Sequence, residues 1–185
     1  MLSSEGSILL IANPAAQNGN GAAAAQRAVG LLRAQLGEDA VVLARTAGPR
    51  HASEIAERAE GCSTVIALGG DGVIHEVAGG LMRRPAARRP ALGVIPVGSG
   101  NDYARTLDMD QTMGADLSWL SHARKRTMDV GRIDYVGEAG RGTDYFVQTF
   151  SCGLDAAIAI GTYELRKSTG LSGGALYLAS GLNVF

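Results

Sequence analysis

The stretch VIALGGDGVIHEVAGGL, residues 65–81, passes from consecutive apolar residues through Gly69-Gly-Asp-Gly72 into a segment with helical period. An unbroken apolar run of this length reads as a strand buried on both faces. After the glycines, Ile74, Val77, Ala78 and Leu81 recur on one helical face. Strand, glycine loop and helix together form the repeating unit of a parallel α/β sheet. Three further apolar runs, 8–12, 41–44 and 92–95, have the same unbroken character. Between them, Ala25, Ala28, Val29, Leu32 and Leu36 share one helical face, and Ala52, Ile55, Ala56 and Ala59 share another. The order β-α-β-α-β-α-β predicts a right-handed, doubly wound unit.

Beyond Pro96 the pattern predicts short helical pieces at 102–107 and at 114–121, the latter carrying Trp119. From Thr127 the texture changes. MDVGRIDYV and DYFVQTF alternate apolar with polar residues and are joined by the Gly-rich GEAGRG, as in an antiparallel hairpin. We therefore divide the chain into an α/β domain, 1–126, and the first part of a β-rich domain, 127–185. One helix and a Gly/Ser-rich stretch are expected after the hairpin.

Composition narrows the function. The 185 residues are 46% hydrophobic, enough for one good core, and carry a formal net charge of -1. That balance argues against a nucleic-acid partner, which needs many cations against phosphates. Cys62 and Cys152 form no CxxC pair, and His51, His75 and His122 lack metal-ligand spacing. Both cysteines read as buried thiols in a reducing compartment. The first residues lack a basic region before a secretory apolar core, and no run approaches a bilayer thickness, so a cytoplasmic protein is expected.

Ligands of a parallel sheet sit beyond the carboxyl ends of its strands. Three of the four loops there are rich in glycine and small polar residues: Asn13-Pro-Ala-Ala-Gln-Asn-Gly-Asn-Gly21, Gly69-Gly-Asp-Gly72 and Pro96-Val-Gly-Ser-Gly-Asn-Asp102. Glycines let the backbone approach a phosphate chain and aim N–H groups at it. Each alone reads equally as a tight turn; three at one edge favour phosphate binding. Asp71 would repel phosphates unless a divalent cation lay between, which implies Mg²⁺. Asp102 is the natural second carboxylate, or the N-cap of the helix that follows. Ser99 offers a hydroxyl to a phosphate oxygen, Thr46 is either a turn residue or a nucleotide contact, and His75 either meets the nucleotide or caps locally. Glu76 is an acid expected in the first helical turn.

Other motif readings fail. Gly19-Asn-Gly21-Ala-Ala-Ala24 fits GxGxxA, but six residues separate it from Ala12 and no acid follows the second strand, so a Rossmann enzyme is the weaker alternative. GxxxxGK[ST] and the protein-kinase motifs are absent. The basic stretch from Arg83 to Arg89 falls at the amino edge of the sheet, as a solvated loop or a peripheral contact with anionic lipid.

Taken together, Asn13-Pro14, Thr46, GGDGVIHEV from Gly69, IPVGSGNDYAR from Ile95, MDVG from Met128 and SCGLDA from Ser151 resemble the diacylglycerol kinase catalytic domain family, which includes sphingosine and ceramide kinases. NAD kinases share the GGDG loop, but GSGND points to the lipid branch. The resemblance implies ATP binding by Asn13, Pro14, Ala15, Ala16, Gln17, Thr46, Gly70, Asp71, Gly72, Val73, Ile74, His75, Glu76 and Ser99. It also implies a catalytic pair, Asp71 and Asp102, holding Mg²⁺ through water, a lipid-side residue at Asp155, and a β-sandwich as second domain. Val73 and Ser99 stand where the family usually has Thr, and the first loop lacks the common PxSGxG. A DGE-type general base is absent from these 185 residues, and Asp71 is the other candidate. The expected activity is transfer of the γ-phosphate of ATP to a lipid hydroxyl such as that of diacylglycerol. The alternative is a non-catalytic nucleotide-binding module or pseudokinase; the sequence leaves room for a homodimer.

Overall fold

The computed structural model describes residues 7–98, 100–109, 123–138, 140–169 and 173–184. Ser99 and the helical piece expected at 114–121 lie outside them. Four strands, β1 (Ser7–Ala12), β2 (Val41–Arg45), β3 (Cys62–Gly69) and β4 (Ala91–Pro96), form one sheet in the order β2-β1-β3-β4, with every pair parallel. Helices α1 (Gly21–Leu36), α2 (His51–Glu57) and α3 (Asp71–Met82) make the crossovers.

The apolar runs form strands because both faces are covered. On one side Ile8, Leu10, Ile66, Leu68 and Ile95 pack with Ala25, Ala28, Val29 and Leu32 of α1. On the other, Ile11, Val65, Ala67 and Val94 meet Ala52 and Ala56 of α2 and Ile74, Val77 and Leu81 of α3. One core on each face is the doubly wound arrangement the unbroken runs predict. The order reverses direction between β1 and β3, so the crevice favoured for ligands opens between the loops that follow these two strands.

Helices α2 and α3 touch closely at Gly80, where an added methyl would overlap the carbonyl oxygen of Ser53 and approach Ala56 Cβ at 2.9 Å. Gly80→Ala is therefore expected to destabilise the domain by about 2 kcal/mol despite the better helix propensity of alanine. Urea unfolding measures it, and an unchanged midpoint would contradict the packing. The arginines after α3 are largely committed to the fold. Arg83 donates to Ser53 Oγ, Arg84 to the carbonyls of Glu57 and Arg88, and Arg89 to those of Leu81, Met82 and Arg84. They cap carbonyls that the end of a helix leaves open.

A short helix α4 (Asp102–Thr106) follows β4. The antiparallel hairpin arrives as expected, β5 (Gly131–Gly137) on β6 (Gly140–Phe146). Asp134 accepts hydrogen bonds from Thr143 across the hairpin and from Arg132 on its own strand, and these hold its carboxyl below the usual range. The chain separates into two compact units, 1–148 and 149–185, so the hairpin packs with the first. The second unit holds α5 (Leu154–Thr169) and α6 (Gly173–Val184). From Gly173 onward the Gly/Ser-rich stretch is helical. Gly161 lets Ser180 approach so closely that its hydroxyl, buried, donates to the carbonyl of Ile158 at 2.6 Å. Cys152 is exposed, contrary to the expectation of two buried thiols, and Cys62 is half-buried with its pKa raised by that burial.

Candidate functional site

Strand pairing continues one residue past each strand and aligns the loops. Asn13 N–H donates to Leu68 O at 3.1 Å, Thr46 N–H to Ala12 O at 2.9 Å and Val97 N–H to Gly69 O at 2.8 Å. Parallel register thereby delivers the loops after β1, β2, β3 and β4 to one sheet edge.

In the first loop, Asn13 Oδ1 accepts the Ala15 N–H at 2.9 Å, closing a local turn. Pro14 and Ala16 are half-buried, while Ala15 and Gln17 are exposed. Gln17 has φ +47°, a left-handed conformation uncommon for a residue with Cβ. Gly21 opens α1 where any side chain would overlap the carbonyl of Asn13.

The third loop enters α3 through extended Gly70, φ −87° and ψ −175°, and Asp71 is the first helical residue. Neither Gly70 nor Gly72 has positive φ. Val73 and Ile74 turn their side chains into the core, and their N–H groups donate to the Gly70 carbonyl at 3.0 and 3.3 Å. Val73 lies against Gly69, where an added methyl would come 2.9 Å from its Cγ2. An alkyl group here supports the turn by packing. His75, exposed in the second turn, stands 3.9 Å from Asp144 of β6. Glu76 is not in the first turn. Its carboxylate instead accepts the N–H groups of Arg50 at 2.9 Å and Ala52 at 3.2 Å, capping α2. The dipole it complements belongs to the neighbouring helix.

The fourth loop rests on the third. An added methyl on Gly98 would lie 2.5 Å from Gly70 Cα, and one on Gly70 would lie 3.3 Å from Gly98 Cα. Asn101, not Asp102, precedes α4, with φ +56° and its side chain buried. Asp102 is the first residue of α4, and its Oδ1 pairs with the Arg105 guanidinium. Asp71 Oδ1 accepts the Tyr103 N–H at 3.0 Å. The other oxygens of both aspartates face the same small space, since a methyl on Gly100 would sit 3.0 Å from Asp71 Oδ2 and 3.5 Å from Asp102 Oδ2. Burial raises the pKa of Tyr103, and Arg126 opposes the rise.

Among the described residues no cluster of three or more His, Cys, Asp or Glu forms a ready-made metal cage. Two carboxylates beside the glycine loops nevertheless suit Mg²⁺, which takes one or two from a protein and completes its shell with water and substrate oxygens. A cavity of about 620 Å³ runs along β4 beneath Leu92, Val94, Leu107 and Met109. None of the glycine-loop residues lines it.

The model of the diacylglycerol kinase catalytic domain matches residues 7–133, from the first residue of β1 into β5. The chain belongs to the diacylglycerol kinase catalytic domain family. A probable lipid kinase YegS-like of Chromohalobacter salexigens is 37% identical over 135 residues, 73% of this chain and 40% of that protein. One of Yersinia pestis is 34% identical over 120 residues, 65% and 38% of the two chains. A putative diacylglycerol kinase from Bacillus anthracis superposes with a TM-score of 0.56 at 28% identity, covering 69% of this chain and 41% of that one. The chain thus spans about two fifths of the length of the curated relatives it matches. As a kinase family member it carries the GGDG and GSGND loops at the sheet edge just described, and no described helix is long and apolar enough to cross a membrane.

The structure brings together Asn13–Gln17, Thr46, the third loop and Asp102 at one edge. Asp155 lies in the second unit, exposed in the first turn of α5, and accepts a hydrogen bond from Tyr177 at 3.4 Å. Gly98 and Asn101 are site residues that the sequence reading does not single out. The signal for Asn101 is its type and place, since asparagine between a glycine and a helix start favours the left-handed conformation.

The two loop glycines separate ligand contact from fold. Nothing lies within 4 Å of a methyl on Gly72, whereas one on Gly70 presses on Gly98. Gly72→Ala is expected to weaken ATP binding about tenfold with little change in stability. Gly70→Ala should weaken binding and also lower the melting temperature. Isothermal and thermal titrations decide, and unchanged affinity in both variants would reduce the loop to a turn.

Proposed function

We propose that the chain is the nucleotide-binding part of a Mg²⁺-dependent lipid kinase that transfers the γ-phosphate of ATP to a lipid hydroxyl, with diacylglycerol or a related lipid as acceptor. The observation that carries this is the meeting of Asp71 Oδ2 and Asp102 Oδ2 around Gly100, beside glycine loops packed backbone to backbone. The N–H groups of Gly70, Asp71 and Gly72 at the start of α3 would cradle the phosphates, with residues 13–17 and the fourth loop beside them. Thr46, His75 and Ser99 would contact the nucleotide in this reading. Asp71 and Asp102 would hold Mg²⁺ through water, and the ion would neutralise charge on the transferring phosphate. Asp102, half engaged by Arg105, would contribute the oxygen on its free side.

The protein has little covalent work to do in such a transfer. It aligns the hydroxyl in line with the leaving oxygen and excludes wrong geometries. Asp71 is also the candidate to accept the hydroxyl proton if no other base is present. We place the nucleotide function in 1–126 and the lipid function in 127–185, with Asp155 on the lipid side. The setting is cytoplasmic, with peripheral contact at the inner membrane face.

The alternative reading is a nucleotide-binding module without catalysis. Transfer of labelled phosphate from ATP to diacylglycerol or long-chain-base micelles by a full-length protein containing this chain tests both. Labelling that requires Mg²⁺ is expected. Nucleotide binding without labelling of any lipid supports the module instead.

A further inference from the structure

Asn101 combines three features that ordinary loop residues lack together. It is 6% exposed, its φ of +56° lies in the left-handed region, and both ends of its amide are spent on one neighbour. Oδ1 accepts the Gly98 N–H at 2.8 Å, and Nδ2 donates to the Gly98 carbonyl at 3.1 Å. The loop from 98 to 101 is thus closed on itself. The closed loop then meets α3, because Gly98 touches Gly70 with no room for a Cβ on Gly98. On either side of this contact stand the two aspartates. Asp71 follows Gly70 and is tied to α4 through the Tyr103 N–H, and Asp102 follows Asn101.

We infer that Asn101 is a positioning residue that sets the separation of the Asp71 and Asp102 carboxylates by clasping Gly98 against Gly70. The role rests on the kinase reading above, since it matters to function only if those carboxylates share a divalent cation. Its physical basis is independent of that reading. A buried amide that lost either partner would cost the loop an unpaired polar group, so the clasp is held closed. Left-handed backbone is tolerated better by asparagine than by most residues, and only asparagine of the tolerant types presents both a donor and an acceptor here.

The test is Asn101→Gly in the 185-residue chain. Glycine keeps the left-handed backbone without strain and removes only the clasp. Binding of ATP is measured by isothermal titration with Mg²⁺ and, separately, with EDTA, alongside hydrogen exchange of the Gly98 amide. The expected result is at least tenfold weaker binding with Mg²⁺, no more than twofold change in EDTA, and faster exchange at Gly98. A purely structural role would weaken both titrations alike, and that outcome overturns the proposal. Unchanged binding with Mg²⁺ in the variant, when the unsubstituted chain binds in a Mg²⁺-dependent way, overturns it while sparing the kinase reading. An unsubstituted chain that binds no ATP under either condition contradicts the kinase reading and removes this role with it.

Discussion

Asp71→Asn is expected to lower turnover of a full-length protein containing this chain by three orders of magnitude or more, while affinity for ATP in EDTA stays within about twofold. The substitution is almost isosteric. An asparagine Oδ1 can still accept the Tyr103 N–H that Asp71 receives at 3.0 Å, so the tie between α3 and α4 survives. What disappears is the charge on the oxygen facing Asp102 across Gly100. In the proposed site that charge acts through Mg²⁺, and electrostatic stabilisation of a transferring phosphoryl group is usually the largest catalytic term. Steady-state phosphorylation and nucleotide titration on the same preparation separate the two effects. Turnover near that of the unsubstituted protein would exclude Asp71 from both metal binding and proton removal.

The 185-residue chain by itself is expected to show negligible lipid phosphorylation, at least a thousandfold below a full-length relative, while still binding ATP. The parallel sheet has a core on each face within the first unit, and nothing about the glycine loops depends on the second. The lipid side differs. Among the described residues its sheet is only the two-stranded hairpin, which packs with the first unit. Leu154, Ile160, Leu178 and Leu182 of the second unit are half or more exposed, which leaves no enclosed apolar cleft around Asp155 among the described residues. Holding both substrates in attack geometry can supply on the order of 7–11 kcal/mol of a barrier, and a chain that holds only one forfeits it. Labelled-ATP assays on lipid micelles, with nucleotide binding measured in parallel, make the comparison. Robust phosphorylation by the chain alone would contradict the division of labour.

The parts of this fold legible in the sequence are those governed by local period. Unbroken runs such as 65–68 could be read as strands because both sheet faces bury them, and Ile74, Val77, Ala78 and Leu81 as one face because helices repeat at 3.6 residues. The gathering of the glycine loops followed from parallel topology alone. What escaped depends on contacts between distant residues. Glu76 looked like a first-turn acid of α3, but its carboxylate reaches back to Arg50 and Ala52. Nothing in a one-dimensional pattern reveals that α2 starts beside it. The helix α6 was hidden because its glycines and serines oppose helix propensity, which the Gly161–Ser180 packing overrides. Asp102 was weighed as an N-cap, a reading displaced by the left-handed Asn101 that comes one residue earlier.

The central claim is that phosphates bind where the third and fourth loops meet. Amide chemical shifts of the ¹⁵N-labelled chain, recorded as ATP and Mg²⁺ are added, test it residue by residue. The account predicts the largest shifts at Gly70, Asp71, Gly72, Gly98 and Gly100, smaller ones at Ala15 and Ala16, and none at Leu92 and Val94 along the β4 cavity. Saturable shifts confined to the β4 cavity, with the glycine amides unmoved, would contradict it.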